Sequence, residues 1–91
     1  MIIKGTKFQV KVWKYLKTIP KGTVKTYKQV AMGINRPKSA RAVANACAGN
    51  PYAPKIPCHR VIRSDGDLGG YSGKGGIRTK KKLLKIEGFK L

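Results

Sequence analysis

The sequence predicts a small, mainly α-helical domain of the winged helix-turn-helix kind, with a short β-hairpin and a closing carboxyl-terminal helix. Three observations support this fold class: two threonine capping boxes, an alanine-rich helical segment, and an Asp-Gly turn beside short apolar stretches. The chain has 91 residues, enough for one modest core. We therefore expect residues 1–91 to form a single domain.

Capping signals and periodicity predict the first three helices. Thr6 and Thr26 each precede a glutamine by three residues, which is the capping-box pattern at a helix start. Apolar residues at helical spacing follow both threonines. Residues 39–48 predict a third helix, which residues 35–37 join to the second by a turn. Two short helices joined in this way on a basic chain indicate a helix-turn-helix.

The second half of the chain contains more prolines, glycines and turn signals. Residues 49–57 hold three prolines and predict a loop, and residues 61–68 predict a β-hairpin around an Asp-Gly turn. A glycine-rich loop follows. Residues 77–87 predict a closing helix that ends before a glycine. Its expected core-facing side chains are Leu83, Leu84 and Ile86.

The charge of the chain predicts a polyanionic partner. Lysine and arginine together number 21 against three acidic residues, a net charge of +18. The basic residues are interspersed rather than gathered in a tail, which indicates a folded cationic surface. Nucleic acid is favoured over an anionic membrane surface or an acidic protein. Apolar runs are far shorter than the ~20 residues of a membrane span, so no membrane segment is expected.

The third helix is unusual for a helix that reads bases. Most of its side chains are small, and only Arg41 and Asn45, four residues apart on one face, could reach a base edge. Small side chains permit close approach to a narrow minor groove of ~6 Å, where sequence readout is poor. The alternative is an alanine-rich helix buried on several sides.

A candidate nucleophile lies in the second half of the chain. Cys58 is followed by His59, the only histidine, and cationic or histidine neighbours favour the reactive thiolate. Direct contact between them requires a turn after Pro57 or a bridging water, because adjacent strand residues point to opposite faces. Glu87, the only glutamate, is a plausible partner for the histidine. The alternative is a buried structural cysteine, a satisfied histidine and a surface ion pair; Cys47 is expected to be structural.

Neither a metal nor a nucleotide cofactor is predicted. The glycine-rich loop lacks the spacing of a phosphate-binding loop. Cys47, Cys58 and His59 supply three zinc-type ligands, but no pair has finger-like spacing and a fourth ligand is missing. Two cysteines cannot form a disulfide framework, and the amino end lacks a secretory signal. These features favour an intracellular protein.

Several segments together resemble one family, the O6-alkylguanine-DNA alkyltransferases, also called methylated-DNA–protein-cysteine methyltransferases. The resemblance begins near Phe8, ends near Glu87 and is most specific at the Pro-Cys-His-Arg-Val block of residues 57–61. It also includes the Arg-Ala-Val of residues 41–43 and the Asn-Pro of residues 50–51. Cys58 distinguishes the chain from non-reactive relatives, which lack this cysteine.

The resemblance implies direct-reversal DNA repair. Family members flip O6-alkylguanine out of duplex DNA and transfer its alkyl group irreversibly to their own cysteine, once per molecule. The implied roles are alkyl acceptor for Cys58, water-mediated base for His59, and histidine-holding carboxylate for Glu87. Asn50 matches a hinge asparagine, and Tyr27 matches a tyrosine that crowds the target phosphate and assists protonation of the guanine.

The resemblance also implies the contacts with DNA. Arg41 matches an arginine finger that fills the gap left by the flipped base, on a helix placed in the minor groove. The expected DNA-binding residues are Tyr27, Ser39, Arg41, Ala42 and Asn45. The residues expected to close on the alkylguanine are Tyr71, Ser72, Gly73 and Lys80.

Family members usually carry an amino-terminal domain that these 91 residues lack. We therefore expect a minimal form or a shortened piece, with room for a separate partner that replaces that domain. The expected protein is a cytoplasmic, nucleoid-associated monomer that binds double-stranded DNA containing O6-alkylguanine. The alternative function is a non-catalytic winged-helix DNA-binding protein that marks lesions or compacts DNA.

Overall fold

The computed structural model describes residues 2–71 and 74–89, which form a mainly helical fold around one core. No helix in these two stretches is long and apolar enough to cross a membrane. In chain order the elements are α1 (Lys7–Leu16), β1 (Lys25–Thr26), α2 (Tyr27–Gly33), α3 (Ala40–Ala48), a 3₁₀ turn (Cys58–Arg60), β2 (Val61–Ile62) and α4 (Gly76–Ile86).

Both predicted capping boxes are confirmed. The Thr6 hydroxyl accepts a hydrogen bond from the backbone N–H of Gln9 at 3.0 Å, and the Gln9 side chain accepts from the backbone N–H of Thr6 at 2.9 Å. Thr26 and Gln29 form the same reciprocal pair at the start of α2. These bonds satisfy N–H groups that a helix start otherwise leaves without partners.

Helices α1, α2 and α3 pack against one another and enclose most of the core. The inward side chains of α1 are Val12, Trp13 and Leu16. The indole N–H of Trp13 donates to the backbone carbonyl of Ala46 in α3 at 2.9 Å. This bond satisfies the only polar atom of the tryptophan side chain and holds the inner faces of α1 and α3 together.

The predicted β-hairpin is wrong. β2 pairs with β1 in parallel, with Lys25 opposite Val61 and Thr26 opposite Ile62. The tight turn does form, since the N–H of Arg63 donates to the carbonyl of Asp67 at 2.8 Å. After the turn the chain does not pair with β2 as a second strand, and the carbonyls of Leu68 and Gly70 instead accept hydrogen bonds from Lys80. The helix-turn-helix and the closing helix are confirmed.

The prediction that Ile86 faces the core is also wrong, since its side chain is 71% exposed. Lys80 and Leu84 are instead the fully buried residues of α4, and Leu83 is half-buried. Lys80 and Leu84 lie about one turn apart and therefore share a face of the helix. Because one of the two fully buried positions holds a lysine, the pattern of apolar residues did not identify the buried face.

Candidate active site and nucleic-acid interface

The segment that contains Cys58 is a single 3₁₀ turn. It begins after Pro57, and the N–H of Arg60 donates to the carbonyl of Pro57 at 3.0 Å. Cys58 and His59 are 3% and 1% exposed. Of the two arrangements that the sequence left open, a turn after Pro57 or a bridging water, the turn is present.

The histidine and the only glutamate meet across 28 positions of sequence. Nε2 of His59 lies 2.9 Å from Oε2 of Glu87. Hydrogen bonds from Arg60 are the main cause that lowers the pKa of Glu87 to about 2. Glu87 is thus an ionised carboxylate at neutral pH and accepts hydrogen bonds only. The proton of this contact must therefore belong to Nε2 of the histidine.

His59 is therefore a neutral imidazole at neutral pH. Burial lowers the pKa of the imidazole below its ordinary value, against the opposing effect of Glu87. With the proton on Nε2, the Nδ1 atom carries a lone pair. Nδ1 is buried and makes no hydrogen bond to any residue within the described ranges. A neutral imidazole nitrogen of this kind is chemically able to accept a proton.

Arg60 is a site residue that the sequence analysis missed. Its Nε donates to Oε1 of Glu87 at 2.9 Å and its terminal nitrogen donates to Oε2 at 2.7 Å. The other terminal nitrogen donates to the carbonyl of Ile19 at 2.7 Å. This bidentate pairing holds the carboxylate in the plane where it meets His59. Its position next to the histidine was the only signal in the sequence.

Asn50 links α3 to the segment that carries the cysteine. Its side-chain N–H donates to the carbonyl of Ile56 at 2.9 Å, and its oxygen accepts from the backbone N–H of Tyr52 at 2.9 Å. The residue is 5% exposed. The first of these bonds is buried and couples the end of the helix to the position two residues before Cys58, and the second orders the start of the loop. The contacts suit a hinge, while the hinge role itself stays a prediction.

A cavity of about 860 Å³ lies between α3 and the glycine-rich loop. Its volume is within the ~300–1,000 Å³ of small-molecule sites. The wall brings together Tyr27, Arg41, Asn45, Cys58 and Tyr71, which the sequence analysis had placed in different segments. A buried cysteine and two exposed polar side chains of α3 therefore share one concave surface.

Tyr27 is the first residue of α2 and is half-buried at this cavity. Burial is the main cause that raises the pKa of its hydroxyl to about 12, so the group is protonated at neutral pH. Gly69 has φ +70°, and a Cβ there would lie 2.9 Å from the Tyr27 hydroxyl oxygen. A glycine is required at this point because any side chain would be both strained and in collision with the tyrosine.

Lys80 lies beneath the loop rather than at its surface. Its ammonium donates to the carbonyls of Val61 at 2.7 Å and Gly70 at 3.1 Å, and also to that of Leu68. The side chain is 0% exposed, and burial lowers the pKa of the ammonium. The lysine therefore ties β2 to the loop that carries Tyr71. Tyr71 itself packs edge-on against His59, with ring centroids 6.4 Å apart.

The other expected contact residues divide between α3 and the loop. Arg41, Ala42 and Asn45 are exposed on α3, and the exposure of Arg41 and Asn45 favours the DNA-facing interpretation. Ser39 precedes the helix and makes no capping bond with its side chain. Ser72 and Gly73 lie outside the described residues.

Both cysteines line the cavity. Burial is the main cause that raises the pKa of Cys47 to about 12, so its thiol stays protonated at neutral pH. A protonated thiol is a poor nucleophile, which supports the structural role predicted for Cys47. Within residues 2–71 and 74–89, no three His, Cys, Asp or Glu side chains gather as metal ligands.

We expect the chain to lose stability as the pH falls below neutral. The pKa of folded His59 is below its ordinary 6.5, so acid favours the unfolded chain from about that pH downward. The pKa of Glu87 is lowered from 4.5 to about 2, so its stabilisation is complete above 4.5 and is lost as the pH falls through 2. Thermal unfolding measured over this range should show the decline. Glu87→Gln should flatten its lower part, and an equally steep decline in that variant would contradict the assignment.

Comparison with known proteins identifies the family. The sequence model of one protein family, the DNA-binding domain of 6-O-methylguanine DNA methyltransferase, matches residues 7–89. A probable methylated-DNA–protein-cysteine methyltransferase of Acanthamoeba polyphaga mimivirus is 51% identical over 93% of this chain and 55% of its own length. The chain spans between 23% and 55% of the length of curated relatives of this kind.

Solved structures agree with this match. Mycobacterium tuberculosis OGT in complex with DNA has a TM-score of 0.89 and 48% identity, over 94% of this chain and 52% of that one. S. pombe Atl1 in complex with damaged DNA containing O6-carboxymethylguanine has a TM-score of 0.77 and 31% identity, over 94% of this chain and 80% of that one. The chain therefore belongs to the family of 6-O-methylguanine DNA methyltransferase DNA-binding domains.

Proposed function

We propose that this chain repairs DNA by transferring the alkyl group of O6-alkylguanine to its own Cys58. The observation that carries the proposal is the buried relay in which Arg60 holds Glu87, Glu87 holds His59, and the cysteine precedes the histidine. A carboxylate that orients a histidine beside a nucleophile is the general arrangement of an activated nucleophile. The family and the relatives' names support the same reaction.

In the proposed reaction, the proton of the Cys58 thiol passes to Nδ1 of His59, through a bridging water. The thiolate attacks the alkyl carbon, so that a sulfur–carbon bond forms as the carbon–O6 bond breaks. The electron pair of the broken bond remains on guanine, which takes up a proton with the help of the Tyr27 hydroxyl. The raised pKa of Tyr27 keeps that hydroxyl protonated and able to donate.

We propose that α3 enters the minor groove and that the target guanine leaves the stack for the cavity. Small side chains on α3 permit close approach, and exposed Arg41 is long enough to fill the vacated position. Asn45 would contact DNA from the same face, with Ser39 and Ala42 beside them. Flipping costs a few kcal/mol and least for a poorly paired base, so a damaged guanine is favoured.

We propose that each molecule reacts once. The product is a thioether, in which the sulfur carries no easily displaced group. Lys80 would keep the loop of residues 68–71 over the cavity, with Tyr71 against the bound base. Asn50 would hold the cysteine segment at a constant distance from α3. The whole of residues 1–91 would then act as one DNA-binding and alkyl-accepting unit, as a cytoplasmic monomer.

Intact-protein mass spectrometry tests the proposal. After incubation with a duplex that holds one O6-methylguanine, the mass should rise by one CH₂ unit, because a methyl group replaces the thiol hydrogen. Proteolytic digestion should place the added mass on the peptide that contains Cys58. A matched duplex with unmodified guanine is the control and should leave the mass unchanged.

An unchanged protein mass together with tight binding to the lesion duplex would contradict alkyl transfer. It would favour the second candidate function, a non-catalytic protein that marks lesions or compacts DNA. Added mass on a peptide without Cys58 would contradict the assignment of the acceptor.

A further inference from the structure

Helix α1 carries a row of lysines that alkyl transfer does not use. Lys7, Lys11 and Lys14 are exposed and are spaced by four and three residues, so they form one stripe along the helix. We call these three residues the lysine stripe. The core-facing side chains of α1 are centred about 180° from the lysine stripe at 3.6 residues per turn. The lysine stripe therefore points directly away from the core.

The lysine stripe also points away from the face proposed to bind damaged DNA. The bond from Trp13 to the Ala46 carbonyl joins the inner face of α1 to the inner face of α3. The outer faces of the two helices consequently point away from one another. Arg41 and Asn45 occupy the outer face of α3. A duplex seated on α3 would leave the lysine stripe uncovered.

The charge of the lysine stripe is not neutralised within the fold. Helix α1 contains no acidic residue, and the whole chain has only three. Glu87 is occupied by Arg60 and His59, and Asp65 pairs with Arg63 at 3.0 Å. The ion pairs found among residues 2–71 and 74–89 involve none of the three lysines. The potential of the lysine stripe is therefore available to an external polyanion.

We propose that the lysine stripe is a second, sequence-independent binding site for the DNA backbone, so that one chain bridges two duplexes. At about 1.5 Å per residue the lysine stripe is about 10 Å long, a length over which one DNA strand presents about three phosphates. Three ammonium groups on flexible side chains can therefore reach a similar number of phosphates. This site goes beyond alkyl transfer and does not depend on it.

Sedimentation with lesion-free duplexes in excess over protein tests the proposal. Complexes of one chain with two duplexes are expected for the unmodified chain. The triple variant Lys7→Gln, Lys11→Gln, Lys14→Gln should retain one duplex and bind the second about tenfold more weakly or worse. For this variant, the slope of log K against log salt for binding of the second duplex should be shallower by about 2.7. Three phosphate contacts are lost, and each contributes about 0.9 to that slope.

The matched control is Lys81→Gln, Lys82→Gln, Lys85→Gln on α4, which removes the same charge from three other exposed positions. It should retain the second duplex. Equal losses in both triple variants would overturn the proposal in favour of unlocalised charge. Complexes of two duplexes with two chains would assign bridging to chain association. Displacement by polyglutamate as effective as by duplex DNA at equal charge would assign the lysine stripe to acidic polypeptides.

Because the duplexes contain no lesion, failure of the bridging test leaves the alkyl-transfer proposal unaffected. The lysine-stripe variant should also take up the methyl group from a lesion duplex at a rate within about twofold of the unmodified chain, since its three lysines are remote from the thiol. A large loss of transfer together with normal second-duplex binding would overturn the separation of the two sites.

Discussion

Cys58→Ala is expected to abolish methyl uptake while leaving binding to the lesion duplex nearly unchanged. The proposed reaction places the alkyl carbon on the sulfur itself, so the variant lacks the atom that is proposed to accept it. Nε2 of His59 is bound to Glu87, and the hydroxyl of Tyr27 stays protonated with a pKa of about 12. The measurement is intact-protein mass after exposure to a duplex with O6-methylguanine, with binding followed by fluorescence anisotropy.

The matched control for this variant is Cys47→Ala. Both cysteines line the cavity, and both substitutions remove one sulfur from a buried position. The Cys47 thiol remains protonated, with a pKa raised to about 12, and α3 is already rich in alanine. We expect Cys47→Ala to retain transfer within about threefold. Loss of transfer in Cys47→Ala alone would exchange the roles assigned to the two cysteines.

Lys80→Met should cause the second-largest effect, a combined loss of stability and transfer. Methionine has similar length but no donor, so three carbonyls, one buried and two partly buried, lose their partner. Leaving such groups unsatisfied should cost roughly 2–3 kcal/mol in total, after the ammonium's own desolvation is recovered. For a chain of this size, that corresponds to a Tm lower by ~10–20 °C. Thermal unfolding by circular dichroism measures the change.

The effect of Lys80→Met on transfer is expected even where the variant is fully folded. Without the lysine, the loop that carries Tyr71 is no longer tied to β2, and the tyrosine no longer closes against His59. Methyl transfer at low temperature should therefore slow by about tenfold or more, a loss of at least ~1.4 kcal/mol of transition-state stabilisation. Lys82→Met on the exposed face of the same helix is the control and should change neither quantity. An unchanged Tm in Lys80→Met would contradict the stabilising role assigned to the hydrogen bonds of Lys80 with the three carbonyls.

Local signals account for the parts of the fold that the sequence predicted. A capping box depends on residues three apart, and a helix face depends on residues three and four apart, so α1, α2 and α3 could be derived from neighbouring positions. The contact between Glu87 and His59 was predicted because the chain has one glutamate and one histidine, and each was expected to need a partner. The catalytic and DNA-binding roles of these residues remain predictions.

Patterning failed where a polar residue occupied a core position. Lys80 is charged and so was not counted among the buried residues of α4, which led to the wrong inward assignment of Ile86. The hairpin prediction failed for a related reason. The Asp-Gly turn was correctly recognised, but the partner of β2 is β1, and it lies 36 positions earlier in the chain.

The sequence by itself determined the helical capping, the cationic character and the adjacency of Cys58 to His59. Only the tertiary structure decided the parallel pairing of β1 with β2, the bidentate pairing of Arg60 with Glu87 and the burial of Lys80. The physical reason is the range of the interactions. Arg60 reaches the Ile19 carbonyl across 41 positions, and Lys80 reaches the Val61 carbonyl across 19. Such partners are selected by packing in three dimensions, which no short window of sequence contains.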